Sequence, residues 1–279
     1  MNVNITPIKA SLMKTKYFII LSIIMLSCTQ KPKQQYDSED GIFFEKFEET
    51  NTDENKYNND NVVYTVGKKY TFEYDYEKNN THYLYQQNDK EWNLINKDSI
   101  GLYSNIVTKV IAEIANGNPM ENYISNYNQT VIKYQYSPII SRNATGVVEN
   151  EKNIWMHPPR QSLFKVLELN PFPYIKYPLK VGQEWEWKLK IGERWGDKRW
   201  KKWDGSITNI MNYKITGYRK EQTPLGDLDC YIIVASAKSR IGNTQLTAFF
   251  NKKHGFVKLD YLNIDGSTLK FKLINIESK

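Results

Sequence analysis

The stretch Glu184-Trp185-Glu186-Trp187-Lys188-Leu189-Lys190-Ile191 alternates a charged residue with a large apolar one at every step. Successive side chains of a strand point to opposite faces, so this period of two describes a strand with one wet face and one buried face. A sheet that is wet on one side is an antiparallel one. Downstream, apolar runs at Ile207 to Tyr218, Leu228 to Ala237, Gln245 to Phe250, Phe256 to Leu262 and Leu269 to Ile276 read as further strands. They are punctuated at Asp204-Gly205, Gly226-Asp227, Gly242-Asn243, His254-Gly255 and Asp265-Gly266. Links this short join antiparallel neighbours, so residues from Gly182 onward form a meander.

Upstream, Val62 to Val66, Tyr70 to Tyr76, His82 to Tyr85 and Trp92 to Ile95 are short strand candidates separated by Gly, Asn and Asp. Next, Tyr103, Ile106, Val107, Val110, Ile111 and Ile114 recur at helical steps, and Asn116-Gly117-Asn118-Pro119 is a stop signal. The expected fold class is therefore mainly β (α+β): a curved open antiparallel sheet or half-barrel with one packed helix, formed by a single domain over residues 61–279.

The N-terminus has a different character. Residues 1–27 contain Lys9, Lys14 and Lys16 but no acidic residue, and an apolar run from Tyr17 to Leu26 is broken only by Ser22. Ten residues fall short of the ~20 that a membrane-spanning helix requires, and the small Ser27 stands where a signal peptidase would cut. The segment Met25-Leu26-Ser27-Cys28 resembles a bacterial lipobox. That resemblance implies acylation of the Cys28 thiol, cleavage before it, and an anchor of more than one acyl chain, which is what stable membrane attachment requires. Met13 begins a compact signal of its own, so translation from Met13 and from Met1 are both open. Residues 28–60 follow as the lipidated cysteine and a disordered tether. Acidic residues, among them Asp37, Glu39, Asp40, Glu48, Glu49, Asp53, Glu54 and Asp60, surround one apolar patch, Ile42-Phe43-Phe44, too little to fold alone.

Removing the signal takes three of 38 basic residues and none of the 31 acidic ones, leaving a formal charge of +4. So modest a surplus in an exported chain does not call for nucleic acid. Beyond Cys28 the one cysteine is Cys230, which excludes an internal disulfide in the mature chain, so the fold must stand on its core. Twenty tyrosines, seven tryptophans and eleven phenylalanines supply that core and favour strands.

Pro178-Leu179-Lys180-Val181-Gly182-Gln183-Glu184-Trp185, Thr223-Pro224-Leu225-Gly226 before Cys230-Tyr231, and Phe249-Phe250 before Gly255-Phe256-Val257-Lys258 form a pattern of turn and core positions. It resembles β-sheet lipoproteins of Gram-negative cell envelopes over roughly the last hundred residues. The resemblance implies a curved antiparallel sheet and an envelope location, most plainly the outer membrane. It brings no catalytic residue with it.

Between Arg194 and Trp203, Trp195, Trp200 and Trp203 are interleaved with Arg194, Lys198, Arg199, Lys201 and Lys202. Three readings are open. Arg194, Trp195, Arg199, Trp200 and Trp203 form a ligand-binding loop, with flat rings for sugars and guanidinium groups for anions; or the loop lies on an anionic membrane surface; or the tryptophans cover the sheet and the cations are solvated. Trp200 and Trp203 are three apart and cannot share one face of a strand, so at least one of them is expected to be exposed. His157, in Met156-His157-Pro158-Pro159-Arg160, reads as a proline-fixed corner, with a general base as the alternative. Cys230 reads as a small buried hydrophobe. No phosphate loop, Gly-Xaa-Ser-Xaa-Gly or His-Glu-Xaa-Xaa-His element occurs, and no metal or cofactor is expected.

The leading expectation is a non-enzymatic, lipid-anchored envelope lipoprotein whose partner is a lipid, a glycan or an envelope protein. The alternatives are a hydrolase of envelope polymer that recruits Glu184, Glu186 or His157, and an assembly subunit of an outer-membrane complex.

Overall fold

The computed structural model describes residues 36–39, 42–45, 61–88, 91–116, 129–139 and 141–278. The signal, Cys28 and most of the expected tether lie outside them. Two units are separate, residues 1–46 and 47–279. In the first, β1 (Tyr36–Glu39) and β2 (Ile42–Glu45) pair antiparallel, Tyr36 opposite Glu45.

Among the described residues, the second unit is one antiparallel sheet of fifteen strands. Its N-terminal half holds β3 (Lys69–Lys78), β4 (Thr81–Asn88), β5 (Glu91–Asn96), β6 (Ile106–Val107), β7 (Lys109–Ala115), β8 (Thr130–Ser137), β9 (Ser141–Glu149), β10 (Asn153–Met156) and β11 (Tyr174–Lys176). The C-terminal meander is β12 (Glu184–Gly192), β13 (Ser206–Thr223), β14 (Gly226–Ser239), β15 (Gly242–Asn251), β16 (Gly255–Leu262) and β17 (Thr268–Glu277). The spatial order is β11-β10-β9-β8-β7-β3-β17-β16-β15-β14-β13-β12. The halves join where β17 pairs with β3, Leu269 opposite Tyr76.

The alternation that decides the fold is realised side chain by side chain. In β12 the residues Trp185, Trp187, Leu189 and Ile191 are buried while Glu184, Glu186, Lys188 and Lys190 are exposed. The sheet curls until it is nearly a barrel. Its two edge strands, β11 and β12, share no ladder but meet through rings: Tyr174 stands edge-on to Trp185 (5.7 Å) and Trp187 (5.5 Å). Aromatic side chains are long enough to bridge the gap that backbone hydrogen bonds leave open.

Two expectations need correction. The run expected as a helix at Tyr103 to Ile114 is instead β6 and β7. Val110, Ala112 and Ile114 are buried at alternate positions, and Ile111 lies opposite Gln135 of β8. The helical spacing was coincidental, because Ala112 is small and its place in the strand period is easily passed over, and the β-branched Val and Ile suit a pleated surface. Helical packing against the sheet is supplied elsewhere, by the 3-10 helix Ser162–Leu169, which buries Leu163, Phe164, Val166, Leu167, Glu168 and Leu169. The second correction concerns Val62 to Val66, which is a strap outside the ladders. The Glu149 carboxylate accepts the backbone N–H groups of Val62 (2.8 Å), Val63 (2.9 Å) and Tyr64 (2.8 Å). The Tyr64 hydroxyl in turn accepts from the Phe256 N–H at 3.0 Å, beside Gly255, whose φ of +75° makes the tight entry to β16.

β3 is shared. Its first half pairs with β7 and its second half turns at Asn79-Asn80 into β4. Both asparagines have positive φ (52° and 59°), the conformation of a two-residue hairpin turn. β4 and β5 therefore form a hairpin that leaves the main path of the sheet, and this hairpin builds one wall of the site.

Candidate functional site

After β12 the chain makes a 3-10 turn, Glu193–Trp195, and then a tight turn in which the Asp197 N–H donates to the Lys201 carbonyl (2.9 Å). Asp197 organises this loop. Its carboxylate accepts from the Arg199 backbone N–H (2.9 Å) and from the guanidinium through Nε (2.8 Å) and a second nitrogen (2.7 Å). The paired guanidinium holds the Asp197 carboxyl below its ordinary pKa. Arg199 also lies over the Trp200 ring at 5.2 Å, and the Trp200 indole N–H donates to the Trp195 carbonyl at 3.3 Å.

The tryptophans divide differently from the expectation. Trp195 and Trp203 are 5% and 8% exposed and belong to the core, and Trp200 is half-buried, so none of the three is openly exposed. The face rule for a strand does not apply, because the segment turns twice instead of extending. Arg194 and Arg160 stand over the Trp195 ring at 5.4 and 5.5 Å.

Arg199 and Trp200 border a cavity of about 310 Å³. Its other rings are Tyr76 of β3, Tyr85 of β4 and Trp92 of β5, and Leu163 and Val166 of the 3-10 helix add apolar wall. Lys78, Asn93 and Ser267 supply polar groups. Trp92 is braced edge-on against Tyr136 (5.5 Å, 85°), and Tyr85 against Phe164 (4.7 Å). Lys78 donates to Asp265 at 2.7 Å, so each of the two lining cations carries its own carboxylate.

Tyr85 is the unusual member. The residue is wholly buried and its hydroxyl has no hydrogen-bond partner. Burial pushes its pKa well up, with Tyr74, Tyr76 and Asp265 adding to the effect and Arg199 opposing it. The hydroxyl stays protonated and lies within the field of Asp265 and of Arg199, the latter a residue of the cavity lining.

Of the residues singled out in the sequence, Arg199 and Trp200 meet at the cavity, Arg194 and Trp195 stack on each other beside it, and Trp203 is packed in the core. Tyr85 and Trp92 carried no signal beyond strand alternation. Glu184 and Glu186 point outward from β12, paired with Lys214 (2.7 Å) and Lys188 (3.1 Å). Cys230 is buried, its thiol pushed up to about 11 chiefly by that burial. Among the described residues no group of three or more His, Cys, Asp or Glu is placed to hold a metal, and no helix is long and apolar enough to cross a membrane.

His157 follows β10 and is buried, with its carbonyl accepting from the Tyr134 hydroxyl at 2.8 Å. Its Nδ1 faces the Pro158 carbonyl at 3.1 Å, which requires Nδ1 to carry a proton. Nε2 lies 3.5 Å from Glu168 Oε1, with no hydrogen bond between them. Burial, reinforced by Arg160, lowers the His157 pKa well below 6.5. The unfolded chain therefore binds a proton near pH 6.5 that the folded one refuses, so this contribution to stability is constant above that pH and falls as the pH drops through it. We expect an acid-side decline approaching ~1.4 kcal/mol per pH unit, flattened in His157→Gln. Chemical denaturation at a series of pH values checks this, and equal slopes in the two proteins would contradict it.

No family model matches the chain, and no curated protein matches it in sequence. Solved structures to which it is similar include the following three. One is an exported protein with a YmcC-like fold from Bacteroides fragilis, at 9% identity over 78% of this chain and 98% of that one, with a TM-score of 0.42. Another is a lipoprotein from Parabacteroides distasonis, at 12% identity over 77% and 97%, TM-score 0.39. The third is the lipoprotein YmcC from Escherichia coli, at 8% identity over 78% and 91%, TM-score 0.36.

Proposed function

We propose that this chain is an envelope lipoprotein, anchored through Cys28 to the outer membrane, whose β domain is a non-enzymatic binding module with its ligand site in the cavity beside Arg199 and Trp200. The observation that carries the reading is a cavity of about 310 Å³ walled by four aromatic rings, Tyr76, Tyr85, Trp92 and Trp200, with Lys78, Asn93 and Arg199 in the same lining. Mostly apolar concave sites with a few placed polar groups are where small ligands bind. The anchor rests on the Met25-Leu26-Ser27-Cys28 segment.

Two experiments test the two parts. Cys28→Ser is expected to abolish labelling by palmitate and to leave the precursor uncut or the product free of membrane. Labelling that persists in this variant removes the anchor from the reading. For the cavity, wild-type protein extracted from membranes is compared with the three tryptophan variants by urea denaturation and by mass spectrometry of co-purifying small molecules. Trp195→Ala and Trp203→Ala are expected to lose ~3 kcal/mol, the low end for a buried tryptophan because the loop can relax. Trp200→Ala should lose less than half of that yet release the bound molecule. If Trp200→Ala retains the same small molecules as wild type, the cavity is not the binding site.

A further inference from the structure

Resting on the anchor at Cys28 proposed above, we infer that the turn between Arg194 and Trp203 docks the domain onto the anionic headgroups of a phospholipid bilayer. The inference concerns a surface and not the contents of the cavity.

Charge picks out this turn. Between Glu193 and Asp204 it holds five cations and a single carboxylate, Asp197. That carboxylate is already taken by Arg199, through its backbone N–H, Nε and a second guanidinium nitrogen. Lys198, Lys201 and Lys202 are exposed, and none of them forms an ion pair with a described residue. Behind them Arg194, Arg160 and Lys165 stand over the Trp195 ring at 5.4, 5.5 and 5.7 Å, which adds to the positive field of the same corner.

The kind of cation and the shape of the turn point to a bilayer surface. A guanidinium fork clamps one phosphate directionally, but the Arg199 fork is committed to Asp197. The three lysines are point charges on flexible stems, suited to the diffuse field of many headgroups. The bridge between Asp197 and Lys201 closes a tight turn with Lys198 and Arg199 at its tip, a shape that meets a plane, whereas a polymer chain lies in a groove. Beside the tip, half-buried Trp200 and Leu94, 36% exposed, border the cavity mouth. Tryptophan settles at headgroup level, and cations flanking apolar residues are what interfacial segments present. A tether of residues 28–60 spans at most ~110–120 Å, so this face can reach the anchoring membrane. Tethering also holds the turn at high effective concentration, so a weak surface affinity is enough to seat it.

The test reconstitutes the full-length lipidated protein into vesicles of brominated phosphatidylcholine, with and without one third phosphatidylglycerol. Flotation with the vesicles reports the anchor. Quenching of tryptophan fluorescence by the bromines reports docking, so the two readings fail separately. Quenching is expected in the anionic vesicles, reduced in Trp200→Phe and lost at high salt. Combining Lys198→Glu, Lys201→Glu and Lys202→Glu should abolish it, since each lysine near an anionic surface contributes about fivefold. These side chains are exposed, so the fold should tolerate the change. Lys190→Glu, Lys220→Glu and Lys238→Glu together, at exposed lysines of β12, β13 and β14, make the same charge change elsewhere and should leave the quenching in place. Four results overturn the inference: no quenching of protein that floats, equal quenching in neutral vesicles, quenching that survives in the turn variant, or an equal loss in the sheet variant.

Discussion

Replacing Glu149 by alanine is expected to destabilise the domain by ~3–6 kcal/mol, the largest single effect foreseen for this chain. The carboxylate, at the end of β9, accepts three consecutive backbone N–H groups, from Val62, Val63 and Tyr64, all within 2.9 Å. Alanine removes every acceptor at once. Val63 and Tyr64 are buried, so their amides would be left without water or protein partners. The damage would spread, because the strap these amides hold carries the Tyr64 ring under β16 and the Val63 carbonyl that receives the Tyr70 hydroxyl. Glu149→Gln keeps one acceptor oxygen and should lose about half as much. Urea midpoints at unchanged m-value measure the difference. A loss below ~1 kcal/mol for the alanine variant would mean that the strap is dispensable.

Phe164→Ala is expected to lose ~3–5 kcal/mol, toward the upper end of the range for a buried ring. Phe164 is wholly buried in the 3-10 helix Ser162–Leu169. Its ring lies against Tyr85 (4.7 Å), stacks on Tyr136 (5.3 Å, 17°) and meets Tyr74 (5.5 Å) and Phe271 (5.9 Å). Those partners come from β4, β8, β3 and β17, so the ring ties the short helix to strands from both halves of the sheet. Rigid neighbours collapse poorly into the space an excised ring leaves, which is why the larger value is expected. Because Tyr85 leans on Phe164, the variant should also weaken ligand binding at the cavity. Phe164→Leu, which refills most of the volume, should lose less than half as much. Calorimetry of the two variants decides it, and equal midpoints for Phe164→Ala and wild type would remove Phe164 from the core.

The residues of the meander announced their own structure, while those of the site did not. Trp185, Trp187, Leu189 and Ile191 face one way because neighbouring Cβ atoms of a strand alternate, a rule that operates within a few residues and so is legible in one dimension. The turns at Asp204-Gly205, His254-Gly255 and Asp265-Gly266 are equally local, because glycine tolerates the positive φ they use. Local rules misled where two periods coincide, as at Ile106 to Ile114, and where the chain is not extended, as between Arg194 and Trp203.

By itself the sequence determined the β class and the strands of the C-terminal meander with their turns. Only the tertiary structure decided that Trp195 and Trp203 pack inward, that Glu149 holds the Val62 to Tyr64 strap, and that Tyr85 and Trp92 face Trp200 across a cavity. The reason is physical: a strand's alternation says which side chains share a face, but which faces meet depends on how a fifteen-stranded sheet curls and where a short 3-10 helix fills it. That outcome is set by packing between residues far apart in the chain, and no local spacing encodes it.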